Sequence, residues 1–259
     1  MNSVIASNYI YRSRTRQQET TLDHPLARRM TALQLSVMEL MEETRTNLGN
    51  VFSEMMSDSH IPIYYSTSIG EINSVTTVAR AVHAKTLPCS PAAFQHSVHN
   101  AAAGYIASTY KTRNPSLTFS SGFLSFDLAL TLTARKIAAG LIDGAFLVHG
   151  EEKRTTNPDI ESEAEVLLLL GETSRYRTAG NSAGNSWLLK TIQHMPTVDS
   201  LSRFRSDCPN EVGTEISETS EESSLSAMFP LRLSEKTNCF TRIANALNGE
   251  SVVSIWSRL

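Results

Sequence analysis

The chain has 259 residues, 41% of them hydrophobic and 19% charged, which is the composition of an ordinary globular protein with one sizeable core. Its formal net charge of −3 provides no overall positive field, so we expect no binding to nucleic acid. No apolar run approaches the roughly 18 residues of a membrane-spanning helix, and residues 1–16 lack the pattern of a secretion signal. We therefore expect a cytoplasmic protein without a membrane span.

The cysteines and histidines are scattered along the chain. Cys89, Cys208 and Cys239 form no CxxC pair, and His96 and His99 lack a third metal ligand at a suitable spacing. The sequence also has no phosphate-binding P-loop, no dinucleotide-binding glycine motif and no GxSxG nucleophile elbow. We therefore expect no disulfide framework, no bound metal and no cofactor.

The first third of the chain alternates between strand and helix patterns. Residues 4–11 are rich in β-branched and aromatic side chains and predict a strand. Asp23 and Pro25 would begin a helix, and residues 61–66 and 71–85 predict a strand and a second helix. Helical spacing joins the apolar residues of the first helix into a stripe that we expect in the core: Leu26, Met30, Leu33, Val37, Leu40 and Met41.

The middle of the chain continues the same alternation. Ser90 caps a predicted helix over residues 91–105, and residues 116–120 alternate as a strand. Gly122 forms a turn before a helix over residues 124–139. Two apolar strands follow, at residues 145–148 and 164–170. The order β, α, β, α, α, β, α, β, β predicts an α/β protein with a mixed, mostly parallel sheet covered by helices.

The C-terminal part has a different composition. Residues 187–194 predict a strand, residues 238–247 a short helix, and residues 251–256 a last strand. Between them, residues 207–222 contain six acidic and no basic side chains, and we expect a mobile acidic loop over residues 199–226. No boundary divides the chain, so residues 1–259 are predicted to form a single domain.

A strand, a tight turn and a helix follow each other directly at residues 116–124. Ser121 and Gly122 occupy the turn, so their neighbours lie at a helix N-terminus. Free backbone N–H groups and the positive end of the helix dipole stabilise a thiolate or an oxyanion at such a place. Condensing enzymes position a nucleophilic cysteine in this way.

Three segments around this turn carry a family resemblance. Residues 90–104 (SPAAFQHSVHNAAAG), residues 114–116 (NPS) and residues 140–152 (GLIDGAFLVHGEE) resemble the N-terminal half of a β-ketoacyl synthase. More narrowly, the chain is similar to the short chain-length factors of bacterial aryl polyene pathways. The resemblance covers residues 60–170 and implies a thiolase-like fold, with roughly one βαβαβαββ half present.

The sequence departs from active synthases at the position of the nucleophile. Counting back from Glu152 by the family's spacing places the catalytic cysteine at Phe123, whose side chain cannot form a thioester. None of the seven histidines lies beyond His194, although the family's two catalytic histidines belong to its C-terminal half. The resemblance therefore implies a subunit without catalytic residues of its own.

The resemblance also implies a partner. Such a subunit would pair with an active ketosynthase in type II polyketide or fatty-acid-like synthesis, and it would meet the acyl carrier protein only through that partner. The interface would be formed by the segment that pairs sheet edges across the dimer: Asn114, Ser116, Leu117, Thr118 and Phe119. An open sheet edge is seldom left uncovered, which favours a partner independently.

Small residues suggest where an acyl tunnel would pass. The resemblance implies that the residues that gate the tunnel lie on the helix before Asn114. There Ala93, Ser97 and Ala101 recur at i, i+4 and i+8, so they would share a face and leave a long tunnel. Phe123 would either cap the vestigial site or be part of the core. Close packing of helices explains the same small residues equally well.

Two other functions remain open at this point. An active acyltransferase or hydrolase could use Ser121, or Cys89 brought near by folding. Alternatively, the chain could be a homodimeric scaffold that binds carrier proteins without any synthase partner.

Overall fold

A computed structural model describes residues 3–15, 17–84, 90–112, 114–122, 124–152, 159–178, 187–195, 214–219, 239–245 and 251–258. Within these ranges the strands join into one nine-stranded sheet in the order β3-β2-β4-β5-β1-β6-β9-β8-β7. The strands are β1 (Val4–Thr15), β2 (Ile63–Ser66), β3 (Ser116–Phe119), β4 (Gly144–Glu152), β5 (Ile160–Gly171), β6 (Trp187–Met195), β7 (Thr214–Thr219), β8 (Cys239–Asn245) and β9 (Ser251–Arg258).

The sheet consists of two similarly arranged parts. In the first part, β2 is parallel to both β3 and β4, and β5 lies antiparallel between β4 and β1. In the second part, β9 lies antiparallel between β6 and β8, and β7 is parallel to β8. The order β6-β9-β8-β7 therefore repeats the order and directions of β1-β5-β4-β2, and the two parts meet where β1 pairs with β6.

The mixed sheet that the sequence predicts is confirmed. In the first part, four of the five strands run in one direction, while the second part adds further antiparallel pairs. The structure therefore extends beyond the single half indicated by the sequence, because the C-terminal strands continue the sheet.

Helices cover both faces of the first part of the sheet. They are α1 (Ala32–Leu48), α2 (Asn50–Ser57), α3 (Ile72–His83), α4 (Pro91–His96), α5 (Ala101–Tyr110) and α6 (Ser125–Ala138). On one face α1, α2 and α5 pack against Phe146, Val148 and Leu168; on the other, α6 packs against Leu147 and Leu167. The apolar run in β5 thus supplies both cores, as expected for a strand buried on both faces. Among the described helices, none is long and apolar enough to cross a bilayer.

Two predicted helices differ in the structure. The helix expected from Asp23 and Pro25 begins only at Ala32, because Thr31 and Gln34 form a capping box there, and Leu26 lies outside the core. The helix expected over residues 91–105 is interrupted between α4 and α5. The intervening residues, Ser97 to Asn100, are weak helix formers, and Ser97 ends α4 by donating its hydroxyl to the carbonyl of Phe94.

The C-terminal predictions also need correction. Within the segment expected as a short helix over residues 238–247, Cys239–Asn245 form strand β8, which suits a sequence with β-branched and aromatic residues. Within the acidic segment expected as a loop, residues Thr214–Thr219 form β7 at one edge of the sheet. The other residues of the 199–226 segment lie outside the described ranges.

Candidate functional site

The strand–turn–helix elbow that the sequence predicts is present. β3 ends at Phe119, Gly122 adopts a positive φ of 58°, and α6 begins at Ser125. The Ser125 hydroxyl donates to the carbonyl of Gly122 (2.6 Å) and accepts from the backbone N–H of Ser121 (2.8 Å), which closes the turn. Phe123, the predicted replacement of the nucleophile, lies outside the described residues.

A buried histidine lies beneath the first turn of α6. The Nδ1 of His149, on β4, is 2.8 Å from the hydroxyl of Ser66, and its ring meets that of Phe126 edge to face at 5.7 Å. Its Nε2 is 3.6 Å from the Glu151 carboxylate. Ser121, in contrast, is exposed, and its backbone N–H holds the turn. These contacts place His149 with Ser66 and Glu151 inside the subunit and give Ser121 a structural role.

Three glutamates meet at the ends of β2 and β4. Glu151 accepts backbone N–H groups from Ser68 and Ile69, in the loop that leads to α3. Glu152 accepts the backbone N–H of Asn73 at 2.8 Å, in the first turn of α3. The family-like GEE segment therefore holds the β2–α3 loop and the N-terminus of α3, whose dipole favours negative charge there.

Glu71 completes this cluster, although no motif in the sequence indicates a role for it. Its Oε1 accepts from the Thr31 hydroxyl (3.0 Å) and the Gln34 amide (2.8 Å). Burial and the nearby charge of Glu152 raise the pKa of Glu71 to about 8, and burial raises the pKa of Glu151 to about 7. Burial also raises the pKa of Glu152. Near neutral pH, the cluster therefore retains protons that exposed carboxylates would have lost.

The predicted interface residues divide into two groups. Asn114 is buried within the subunit, where its amide donates to the carbonyls of Met55 in α2 (3.0 Å) and Ile61 before β2 (2.6 Å), so its side chain is held inside the subunit. Ser116 and Leu117 are exposed, and Thr118 and Phe119 are half-buried, on the strand that forms one edge of the described sheet.

The predicted tunnel residues do not share one helix face. Ala93 lies on α4, Ser97 caps its C-terminus, and Ala101 begins α5, and all three are half-buried. Residues at i, i+4 and i+8 share a face only in a continuous helix, and the break between α4 and α5 interrupts this one. Nearby, Phe94 and Val98 are 64% and 46% exposed, so this region carries apolar surface.

The fold and elbow define a class of protein. A mixed sheet with helices on both faces, in which an antiparallel β5 lies among parallel strands and β3 leads through a tight turn into α6, is a thiolase-like α/β arrangement. Residues 14–157 match the family model described as "Beta-ketoacyl synthase, N-terminal domain". The chain belongs to this family. The family expected from the sequence is thereby confirmed.

Solved structures share this fold. A ketosynthase in complex with its chain length factor from Xenorhabdus doucetiae is 18% identical, with a TM-score of 0.58, and the match covers 93% of this chain and 84% of that chain. The ishigamide ketosynthase/chain length factor is 12% identical, with a TM-score of 0.72 over 94% of this chain and 86% of that chain.

A β-ketoacyl synthase from Burkholderia phymatum STM815 is 11% identical, with a TM-score of 0.73 over 94% of this chain and 87% of that chain. Among curated proteins, none matches this chain in sequence. At these identities the structural matches establish the thiolase-like ketosynthase fold that the sequence predicts, and no more than the fold.

Proposed function

We propose that this chain is a non-catalytic subunit that pairs with an active ketosynthase and forms part of its acyl tunnel, as a chain-length factor does. One observation carries the proposal: the elbow is formed at the start of α6, yet none of the three cysteines lies in it. A thioester needs a thiolate at that turn. A member of the family with the elbow but without the thiol is suited to shaping a partner's reaction.

The two edges of the described sheet support a partner at β3. Strand β7, at one edge, contains Glu215 and Glu218, and charged residues discourage pairing between edges. Strand β3, at the other edge, has the uncharged sequence SLTF, with Leu117 43% exposed. An uncharged edge with an exposed leucine favours the addition of a partner strand.

Similar proteins suggest the kind of partner. Two of the structural matches contain a ketosynthase together with a chain length factor. A third structural match contains a type II acyl-carrier protein in complex with its ketosynthase, and that ketosynthase is bound to the hexaketide. We infer a cytoplasmic ketosynthase partner in type II polyketide synthesis of the aryl polyene kind, with the carrier protein docking on that partner.

Intact-mass analysis tests the absence of catalysis. The purified chain, incubated with malonyl- and acyl-carrier protein, is expected to gain no acyl mass, because the elbow has no thiol. The co-purified ketosynthase, treated in the same way, serves as the positive control and is expected to gain an acyl group. An acyl adduct on Ser121 of the isolated chain, located by peptide mapping, would instead support the acyltransferase alternative.

The tunnel wall is tested by product length. We propose that Ala93, Ser97 and Ala101 border the tunnel at the break between α4 and α5, and that Phe123 caps the vestigial nucleophile site. Ser97→Phe in the reconstituted complex is expected to shorten the product, because added side-chain volume displaces chain carbons, each worth about 0.8 kcal/mol of burial. Ser108→Phe, at an exposed position of α5, is the matched control. Products of unchanged length from both variants would favour the packing explanation.

A further inference from the structure

Helix α3 makes few apolar contacts with the rest of the protein. It has no buried residue, and Val82 is 69% exposed, so little apolar packing holds it. Its main helical neighbour is the short α4, which itself exposes Phe94. Polar contacts at its N-terminus must therefore supply much of what fixes its position.

Those contacts come from the buried glutamate cluster. Glu71, Glu151 and Glu152 are 3%, 3% and 5% exposed. Glu152 accepts the Asn73 N–H of α3, while Glu71 accepts hydrogen bonds from Thr31, which caps α1, and from Gln34 in its first turn. Because Glu152 accepts the N–H of Asn73 and Glu71 is the residue that directly precedes α3, the two carboxyl groups are neighbours at the start of this helix. Glu71 Oε2 is buried, and no donor from the described residues reaches it.

A carboxylate pair of this kind needs a proton. Two ionised carboxylates both accept and cannot hydrogen-bond to each other, whereas a carboxylic acid donates to a carboxylate. We propose that Glu71 and Glu152 share one proton and form a latch that fixes the N-terminus of α3 to the end of β4, and that loss of the proton releases α3. The latch lies inside this chain, so the inference is independent of the pairing proposed above.

Charged and titratable groups surround the latch on every side. The raised pKa of Glu71, about 8, arises first from burial, and the hydrogen bonds from Thr31 and Gln34 oppose it. Tyr65 of β2 and Glu161 of β5 interact electrostatically with the latch, and Glu151 of β4 directly precedes Glu152. From the helical side the facing groups are Arg29 before α1, His96 of α4 next to Gln34, His99 beside Gly70, and Tyr105 of α5.

The raised pKa values of Glu71 and Glu152 determine how the stability of α3 depends on pH. Because the folded chain holds the protons of Glu71 and Glu152 more tightly than the unfolded chain does, the stabilisation is complete below the ordinary pKa of glutamate. It is lost as the pH rises through about 8, the pKa of Glu71. Alkaline pH is therefore expected to loosen α3 before the rest of the protein.

Hydrogen exchange of the full chain tests the latch, with each rate divided by the intrinsic rate at that pH. Between about pH 6 and pH 9, the protection of α3 amides in the wild type is expected to fall about tenfold, while that of α6 stays constant. In Glu71→Gln, the amide donates to Glu152 permanently, so the protection of α3 should not change with pH. Glu54→Gln, at an exposed position of α2, is the control and should behave as the wild type does.

If Glu71→Gln does not fold, Glu152→Gln provides the same measurement, because its amide can donate to an ionised Glu71 while its carbonyl still accepts from Asn73. Constant protection of α3 in the wild type would overturn the proposal. So would a fall that α6 shares, or one that persists in the glutamine variant.

Discussion

Replacing Gly144 with alanine is expected to lower the free energy of unfolding by about 3 kcal/mol or more. A Cβ at this position would lie 2.5 Å from the carbonyl oxygen of Leu169 and 2.7 Å from Cδ2 of Leu170. The carbonyl belongs to β5, which pairs with β4 along its length in the interior of the sheet. It can move away only by separating the two strands, and Ile61 closes the remaining space at 3.3 Å.

Urea unfolding of Gly144→Ala beside a matched variant measures this effect. Gly104→Ala makes the same chemical change within α5, where the added Cβ would meet nothing within 4 Å. A helix-interior glycine costs about 0.5–1 kcal/mol relative to alanine, so this control is expected to stabilise the protein. Opposite signs for the two variants would support the close approach of β4 to β5, and a similar small change in both would contradict it.

Structural features that depend on residues close together in the sequence are predicted correctly. The run of five leucine and valine residues in β5 predicts a strand buried on both faces, and its side chains do supply the two cores in alternation. The elbow before α6 was also predictable, because a strand, a glycine turn and a helix start follow each other within ten residues. Local geometry determines such features, so one sequence is sufficient.

Features that depend on distant residues were missed. The capping box of Thr31 and Gln34 fixes the start of α1, and Thr31 and Gln34 also hold Glu71, which lies beyond α2 and β2. No pattern near Glu71 indicates that Glu152 will lie beside it, because the fold brings together residues some 80 positions apart. Strand β8 lies where the sequence pattern predicts a helix, because its pairing with β9 and β7 is not visible in the local pattern.

Loss of pairing with the proposed ketosynthase partner is the expected result of Thr118→Pro. The backbone N–H of Ile63 donates to the carbonyl of Pro115 (3.1 Å), and that of Thr67 donates to Phe119 (3.0 Å). In a parallel ladder, the intervening Thr118 therefore directs its N–H away from β2, toward the edge where a partner strand would add. Proline removes this donor and places its ring at the edge, while the bonds from β3 to β2 remain.

Gel filtration and calorimetric titration of the co-expressed pair measure the loss. We expect the dissociation constant to rise at least about a hundredfold, because one main-chain bond is lost and the ring also blocks approach of the partner strand. Thr118→Val retains the backbone N–H and is the matched control. The melting temperature of the isolated proline variant should stay near that of the wild type, since an outward N–H at an edge has no partner within the described sheet. Undiminished pairing of the proline variant would show that the interface does not include β3. A stable homodimer that Thr118→Pro abolishes and Thr118→Val retains would favour the scaffold alternative.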